Sequence, residues 1–273
     1  NMIFDNVSFT ETESVVIYSD GITFRNSDFL DIVREESGNG GDWETHLDRY
    51  QGLFAQFSDG LLLDGLYLDH IAWADDYTYD GDASGGQPPS MFSHNLYLGD
   101  SNADLTLRDT ITMQAAATGA QVRSGGFIED NVFLDNITGL NFRGGDGDSF
   151  HASYTLFSDN IVTSAGYREA FQSGALGWGA DSQGALSSLV DNIFAHAADP
   201  NNPEEIAQKE YVFWSYMNAA NIGVEHYYDD TIVYNWEGSQ MQWDNLPNYN
   251  LGDLNTDTLD QTTIQLFTAQ LLG

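Results

Sequence analysis

The chain has 273 residues, with 42 Asp or Glu against 8 Lys or Arg, a formal charge of −34 and no cysteine. So acidic a surface has almost no cation with which to neutralise phosphate, which sets nucleic acid and anionic lipid aside as partners. The absence of thiols removes both a disulfide scaffold and thiolate chemistry. Hydrophobic content of 41% is enough for a core, in one large domain or two small ones. No apolar run approaches the ~18 residues that cross a bilayer, so no membrane insertion is expected. The chain opens at Asn1 without an initiator Met or a visible signal peptide, and is read as a processed form. Abundant Gly, Asn and Asp without Cys suits an extracellular or cell-surface bacterial protein held together by calcium. A surface solvated for a salty environment explains the acidity equally well.

In chain order, a short polar bend between apolar strands keeps returning. It is carried by Phe4–Phe9 (FDNVSF), Phe24–Phe29 (FRNSDF), Leu63–Leu68 (LDGLYL), Leu107–Ile111 (LRDTI) and Ile128–Phe133 (IEDNVF). Phe157–Ile161 (FSDNI), Val190–Phe194 (VDNIF) and Tyr228–Ile232 (YDDTI) continue the series. Intervals begin at about 20 residues and lengthen towards about 40 where loops intervene. Asn or Asp at a bend hydrogen-bonds its own backbone and tolerates unusual φ, so stacked bends would form a polar ladder while flanking Val, Ile, Leu and Phe fill the bore. The pattern predicts an all-β chain, a parallel β-helix; a β-sandwich or a propeller is the alternative for strands this short.

Between the strands lie long polar segments at Arg34–Arg49, Ala74–Ser90, Gly144–Ser149 and Pro200–Lys209, the last with room for one or two helical turns. Insertions of this kind form the walls of a solenoid's binding face. The β-helix is expected over residues 1–254. Residues 255–273 carry a capping box (Thr262 with Gln265) and Ile264, Phe267 and Leu271 at helical spacing, which predicts a short capping helix. Ile3 to Phe9 already reads as a strand, so the N-terminal coil is expected to be uncapped and open to end-to-end self-association.

The repeat resembles the right-handed parallel β-helix of the pectin-lyase-like superfamily. The run from Ser93 to Phe142 (SHNLYLG…QVRSGGFIEDNVFLDNITGLNF) is similar to bacterial β-helix repeat proteins of secreted, often calcium-dependent chains. That similarity extends over roughly Leu61–Asn202. It implies a fold shared by polysaccharide lyases, uronan epimerases, glycoside hydrolases and non-catalytic adhesins, so it constrains function less than fold.

Lyases and epimerases remove the C5 proton of a uronic acid, which needs a base on one face and a cation to neutralise the carboxylate. With so few basic residues each Arg is informative. Arg123 follows one strand (AQV) and Arg143 the next (LNF), each before a glycine pair, so that side by side they would grip a carboxylate bidentately. The competing reading is that each Arg pairs with a neighbouring acid. His94 and Tyr97 are candidates for moving protons, although their odd separation faces them to opposite sides unless the chain bends at Asn95; of the two, Tyr97 is the expected core residue. Glu129 is expected on the same wall.

Asp69–His70 and His151–Tyr154 are weaker pairs of this kind, and Asp75–Asp76 and Asp229–Asp230 read as solvated edges. Carboxylates flanking a glycine, Asp146 with Asp148 and Asp80 with Asp82, suit calcium. Trp73 and Trp178, with Trp43, Trp214, Trp236 and Trp243, either stack on sugars or plug the ends of the stack. Three functions are therefore open: lyase or epimerase action on an acidic polysaccharide, a non-catalytic calcium-binding surface module, and a glycoside hydrolase.

Overall fold

The computed structural model describes residues 1–32, 50–72, 92–134, 136, 138–142, 154–163, 178–182, 187–195, 213–215, 226–230 and 232–234. Among these residues every element is a β-strand, and every strand pairing is parallel. Three sheets result, with strands numbered in chain order. The first holds β1 (Met2–Asp5), β4 (Ile22–Arg25), β7 (Asp59–Asp64), β10 (Ala103–Arg108), β13 (Gly126–Glu129), β16 (Thr155–Ser158), β19 (Ser187–Val190) and β22 (His226–Asp229). The second holds β2 (Ser8–Thr10), β5 (Asp28–Leu30), β8 (Tyr67–Asp69), β11 (Ile111–Met113), β14 (Val132–Leu134), β17 (Ile161–Thr163), β20 (Ile193–Ala195) and β23 (Ile232–Tyr234). The third holds β3 (Val15–Ile17), β6 (Leu53–Ala55), β9 (Leu96–Leu98), β12 (Thr118–Val122), β15 (Thr138–Phe142), β18 (Trp178–Ser182) and β21 (Phe213–Ser215). The chain visits the sheets in turn, so each circuit adds one strand to each. This is a three-sided β-solenoid, compatible with a parallel β-helix.

The bend from the first sheet to the second always takes two residues, and the reason is local chemistry. The first of the two is Asn6, Asn26, Gly65, Asp109, Asp130, Asp159, Asp191 or Asp230, each with φ between 43° and 65°. Asn, Asp and Gly occupy this left-handed region at least cost, because the short polar side chain bonds locally or is absent. The second residue turns inward at Ser27, Leu66, Thr110, Asn131, Asn160 and Asn192. Asn131, Asn160 and Asn192 are buried, and the amide oxygen of each accepts from a backbone N–H of the preceding coil: Thr110 N–H donates to Asn131 Oδ1, Asn131 N–H to Asn160 Oδ1 and Asn160 N–H to Asn192 Oδ1, all at 3.0 Å. Their Nδ2 groups donate to the carbonyls of Leu107, Ile128 and Phe157 at 3.0, 2.8 and 2.9 Å. The ladder satisfies backbone groups that the bend would otherwise bury unpaired.

Alternation within each strand fills the bore. Phe24, Leu63, Leu107, Ile128, Phe157 and Leu189 point inward from the first sheet, and Phe29, Leu68, Phe133, Val162 and Phe194 from the second. Rings meet at the corner, Phe133 to Phe157 at 6.0 Å and Phe157 to Phe194 at 6.2 Å between centroids. The expected capping helix at 255–273 lies outside the described residues.

Candidate functional site

The outer face of the third sheet differs from the rest of the coil. Its strands bury their flanking residues, Leu53 and Ala55, Leu96 and Leu98, Ala120 and Val122, and turn the residue between them outward. Register aligns those outward positions in one row: Val16 beside Phe54, Phe54 beside Tyr97, and Tyr97 beside Gln121, whose next neighbour Asn141 is buried. Phe54 and Tyr97 stack at 5.2 Å with planes 19° apart. Arg123 directly follows the next strand, and its N–H donates to the Leu98 carbonyl at 2.8 Å. From there its guanidinium lies over the Tyr97 ring, 5.3 Å from the centroid. Arg and an aromatic face attract through the ring quadrupole. The corner after Arg123 is made by Gly125 and Gly126, with φ of 73° and 137°; a Cβ on Gly126 would fall 2.5 Å from the Leu105 carbonyl oxygen. Only glycine fits there.

His94 and Tyr97 do come together, with ring centroids 5.7 Å apart. The cause is the bend at Asn95, whose buried Nδ2 donates to Thr112 Oγ1 at 2.9 Å and to the Met113 carbonyl at 2.8 Å. Their burial is the reverse of expectation: His94 is 3% exposed, while Tyr97 is half-buried. His94 is clamped at both ends, its N–H donating to Gln51 Oε1 at 2.9 Å and its Nδ1 accepting from Thr118 N–H at 3.3 Å. A ring that accepts at Nδ1 is neutral and carries its proton on Nε2.

The arginines divide into two kinds. Arg25 pairs with Asp5 at 2.7 Å and Arg108 with Asp64 at 2.8 Å, in both cases across one strand spacing at the rim of the first sheet. The contact with Arg25 holds the Asp5 carboxyl below its usual range. Arg123 makes no ion pair with a described residue, and its Nε is buried with no hydrogen-bond partner. Of the three described arginines it alone has no carboxylate partner among the described residues. Pairing with a neighbouring acid is therefore correct for Arg25 and Arg108, and among the described residues Arg123 has no such partner.

Glu129 is not on this wall. Ser124 and Gly125 carry the chain round the corner, so Glu129 ends β13 on the first sheet, in register with Arg108 and Ser158. A separation of six residues from Arg123 conceals a change of face. Arg143, Trp73, Asp80, Asp82, Asp146 and Asp148 lie outside the described residues. Trp178 opens β18 opposite Thr138, and only its backbone is described. Among the described residues no group of three or more His, Asp or Glu converges as a metal would need.

A second polar cluster sits on the outer face of the second sheet. Tyr67 donates its hydroxyl to Asp69 Oδ2 at 3.3 Å, while Asp69 Oδ1 is buried without a described partner. Burial, ahead of the Asp69 charge, pushes the Tyr67 hydroxyl up to about 12, and burial likewise raises the Asp69 carboxyl. His70 Nδ1 lies 3.4 Å from Asp31, both well exposed. Among the described residues no arginine or lysine and no row of stacked rings accompanies this cluster, which leaves the third sheet as the better candidate.

Sequence reasoning missed Tyr18, Phe54 and Phe57, which continue the aromatic row. The signal was present in LFA, where Leu53 and Ala55 face inward and leave Phe54 outside. Comparison with protein families, with curated proteins and with solved structures finds no match to this chain.

Proposed function

We propose that this chain is a secreted, carbohydrate-active right-handed β-helix of the pectin-lyase-like kind, acting on an acidic polysaccharide outside the cell or at its surface by lyase or C5-epimerase chemistry. The observation that carries the reading is Arg123, a guanidinium without a carboxylate partner among the described residues, fixed over the Tyr97 ring on the aromatic face of the third sheet. Bound to a uronate carboxylate, Arg123 would neutralise it and stabilise the carbanion formed when the C5 proton leaves. The Tyr97 hydroxyl is the group on this face suited to moving that proton. In a lyase the electron pair would then form the C4–C5 double bond as the C4–O bond breaks, and the departing oxygen would take up a proton. In an epimerase a proton would return to C5 from the opposite face. His94, neutral and buried, would position the Tyr97 ring.

The test is incubation with a panel of uronate and neutral polysaccharides, with calcium and with EDTA. Ultraviolet absorbance reports the unsaturated uronide of a lyase, and NMR reports inversion at C5 or hydrolysis. Activity lost in Arg123→Ala and kept in Arg25→Ala supports the proposal; silence on every uronate polymer ends it.

A second reading, a non-catalytic calcium-binding surface or filament module, draws on the bend column. Asp109, Asp130, Asp159, Asp191 and Asp230 take the same position in successive coils. Such a row would collect divalent counterions diffusely, and calcium-dependent assembly seen by light scattering would favour it.

A further inference from the structure

We infer that the outer face of the first sheet is a docking surface for a second copy of this chain. The two copies are related by a two-fold axis that runs along the strands, between β7 and β10. The inference depends neither on Arg123 nor on any substrate.

Two outward rows make up this face. The alternation that sends Phe24, Leu63 and Leu107 inward sends their neighbours outward. One row reads Asp5, Arg25, Asp64, Arg108, Glu129 and Ser158, each beside the next in register. Charge reverses at every step from Asp5 to Glu129. The row beside it reads Ile3, Thr23, Leu62, Thr106, Phe127 and Leu156. Ile3 is 60% and Phe127 50% exposed, although other apolar side chains of these sheets fill the bore. Two copies of a chain with a formal charge of −34 repel each other. The alternating row sets three carboxylates against two guanidinium groups, so it adds little to that repulsion.

Symmetry selects the arrangement. A two-fold axis lays a surface on its own reverse. An alternating row reversed about a point midway between two rungs meets opposite charges; reversed about a rung, it meets like ones. With the axis between β7 and β10, six coils engage. Asp64 meets Arg108 of the second copy, Arg25 meets its Glu129, Ile3 its Leu156 and Thr23 its Phe127. Each contact occurs twice. Moving the axis by one coil either engages four coils only or sets Arg25 opposite Val190.

The charged groups are able to make these contacts. Arg25 and Arg108 each hold an acid of their own copy, yet their side chains remain 48% and 45% exposed, and a guanidinium has five N–H donors. Glu129 makes no ion pair with a described residue, and the second copy's Arg25 would supply one. Five strand steps at ~4.8 Å give a contact about 24 Å long. That is short of a permanent interface, so the dimer forms at high concentration and dissociates on dilution.

Sedimentation velocity on the whole chain tests the inference by charge exchange. The parent should pass from monomer to dimer as its concentration rises. Arg25→Glu sets carboxylate against Glu129 of the second copy, and Glu129→Arg sets guanidinium against its Arg25. Each variant alone should dimerise at least roughly ten-fold more weakly. An equimolar mixture of the two should recover the parent's affinity, because both contacts are then oppositely charged; recovery also shows that both variants are folded. Where either fails to fold, cross-linking decides. The chain has no cysteine, so a short bismaleimide should join Leu62→Cys to Thr106→Cys in a mixture and leave either variant alone as monomer. A parent that stays monomeric, a mixture as weak as its components, or a missing cross-link overturns the inference. A dimer indifferent to both charge substitutions also overturns it, by assigning self-association to another surface such as the edge of the first coil.

Discussion

Every passage from the first sheet to the second takes two residues, whereas passages into and out of the third sheet run from three residues (56–58) to twenty-six (70–95). On the constant side, the coils share a left-handed Asn, Asp or Gly, followed in five of the described bends by an inward Ser27, Thr110, Asn131, Asn160 or Asn192 that caps the backbone of the neighbouring coil. On the variable side, the outward row changes chemistry at every step, from Val16 through Phe54 and Tyr97 to Gln121. A column of identical parts maintains the stack. A row of different parts can recognise something. Stability and recognition thus occupy different sides of one coil, and substitutions can separate them.

The largest loss of stability is expected from Phe157→Ala, at the corner where rings of adjacent sheets meet. Removing this shielded ring should cost about 3–5 kcal/mol in denaturant titration. Asn160→Ala comes next. It strips an acceptor from Asn131 N–H and a donor from the Ile128 carbonyl, leaving both buried, for a loss of about 3 kcal/mol. Neither change touches the third sheet's outer face. A binding defect in either variant, measured where it is still folded, would dissolve the separation. Arg123→Ala should do the opposite, abolishing uronate binding while shifting stability by less than about 1 kcal/mol, since only a part-exposed cation–π contact is lost.

The smallest effect belongs to Asp159 in the bend column. Desolvation, and then the charges of Asp130 and Asp191, raise its carboxyl above the ordinary range. A carboxyl raised on folding binds its proton more tightly in the folded chain. Its ionisation therefore destabilises the fold above the raised pKa, and the penalty fades as pH falls towards the unfolded value. Asp159→Asn keeps a residue suited to φ 57° and removes the charge. A slightly higher melting temperature at neutral pH is expected, with the gain over the parent vanishing in acid. Asp5 should show the reverse sign, because Arg25 lowers its carboxyl and the stability it lends is lost on acidification.

All eight bends could be read from the sequence, because a positive φ restricts the choice of residue whatever surrounds it. The inward and outward assignment of LFA, LYL and AQV was equally open to reading, since alternation along a strand needs no partner. Whether Arg123 would find a carboxylate was not. Arg25 and Arg108 end strands of the first sheet beside Asp5 and Asp64 of adjacent coils, residues 20 and 44 positions away. Arg123 follows a strand of the third sheet and lies over Tyr97. Residue type is the same in the three cases, and only stacking across coils separates them.

The sequence by itself determined the coil: its strand period, its bends, its apolar bore and its acidic surface all follow from chemistry local to a few residues. The tertiary structure decided the site. The meeting of His94 with Tyr97 depends on Asn95 reaching Thr112 and Met113 on the adjoining sheet, and the removal of Glu129 from that wall depends on a corner at Ser124 and Gly125. The aromatic row from Phe57 to Arg123 exists only because successive coils lie in register. Contacts between coils connect residues 20 to 47 positions apart, and no local pattern records which of them will face one another.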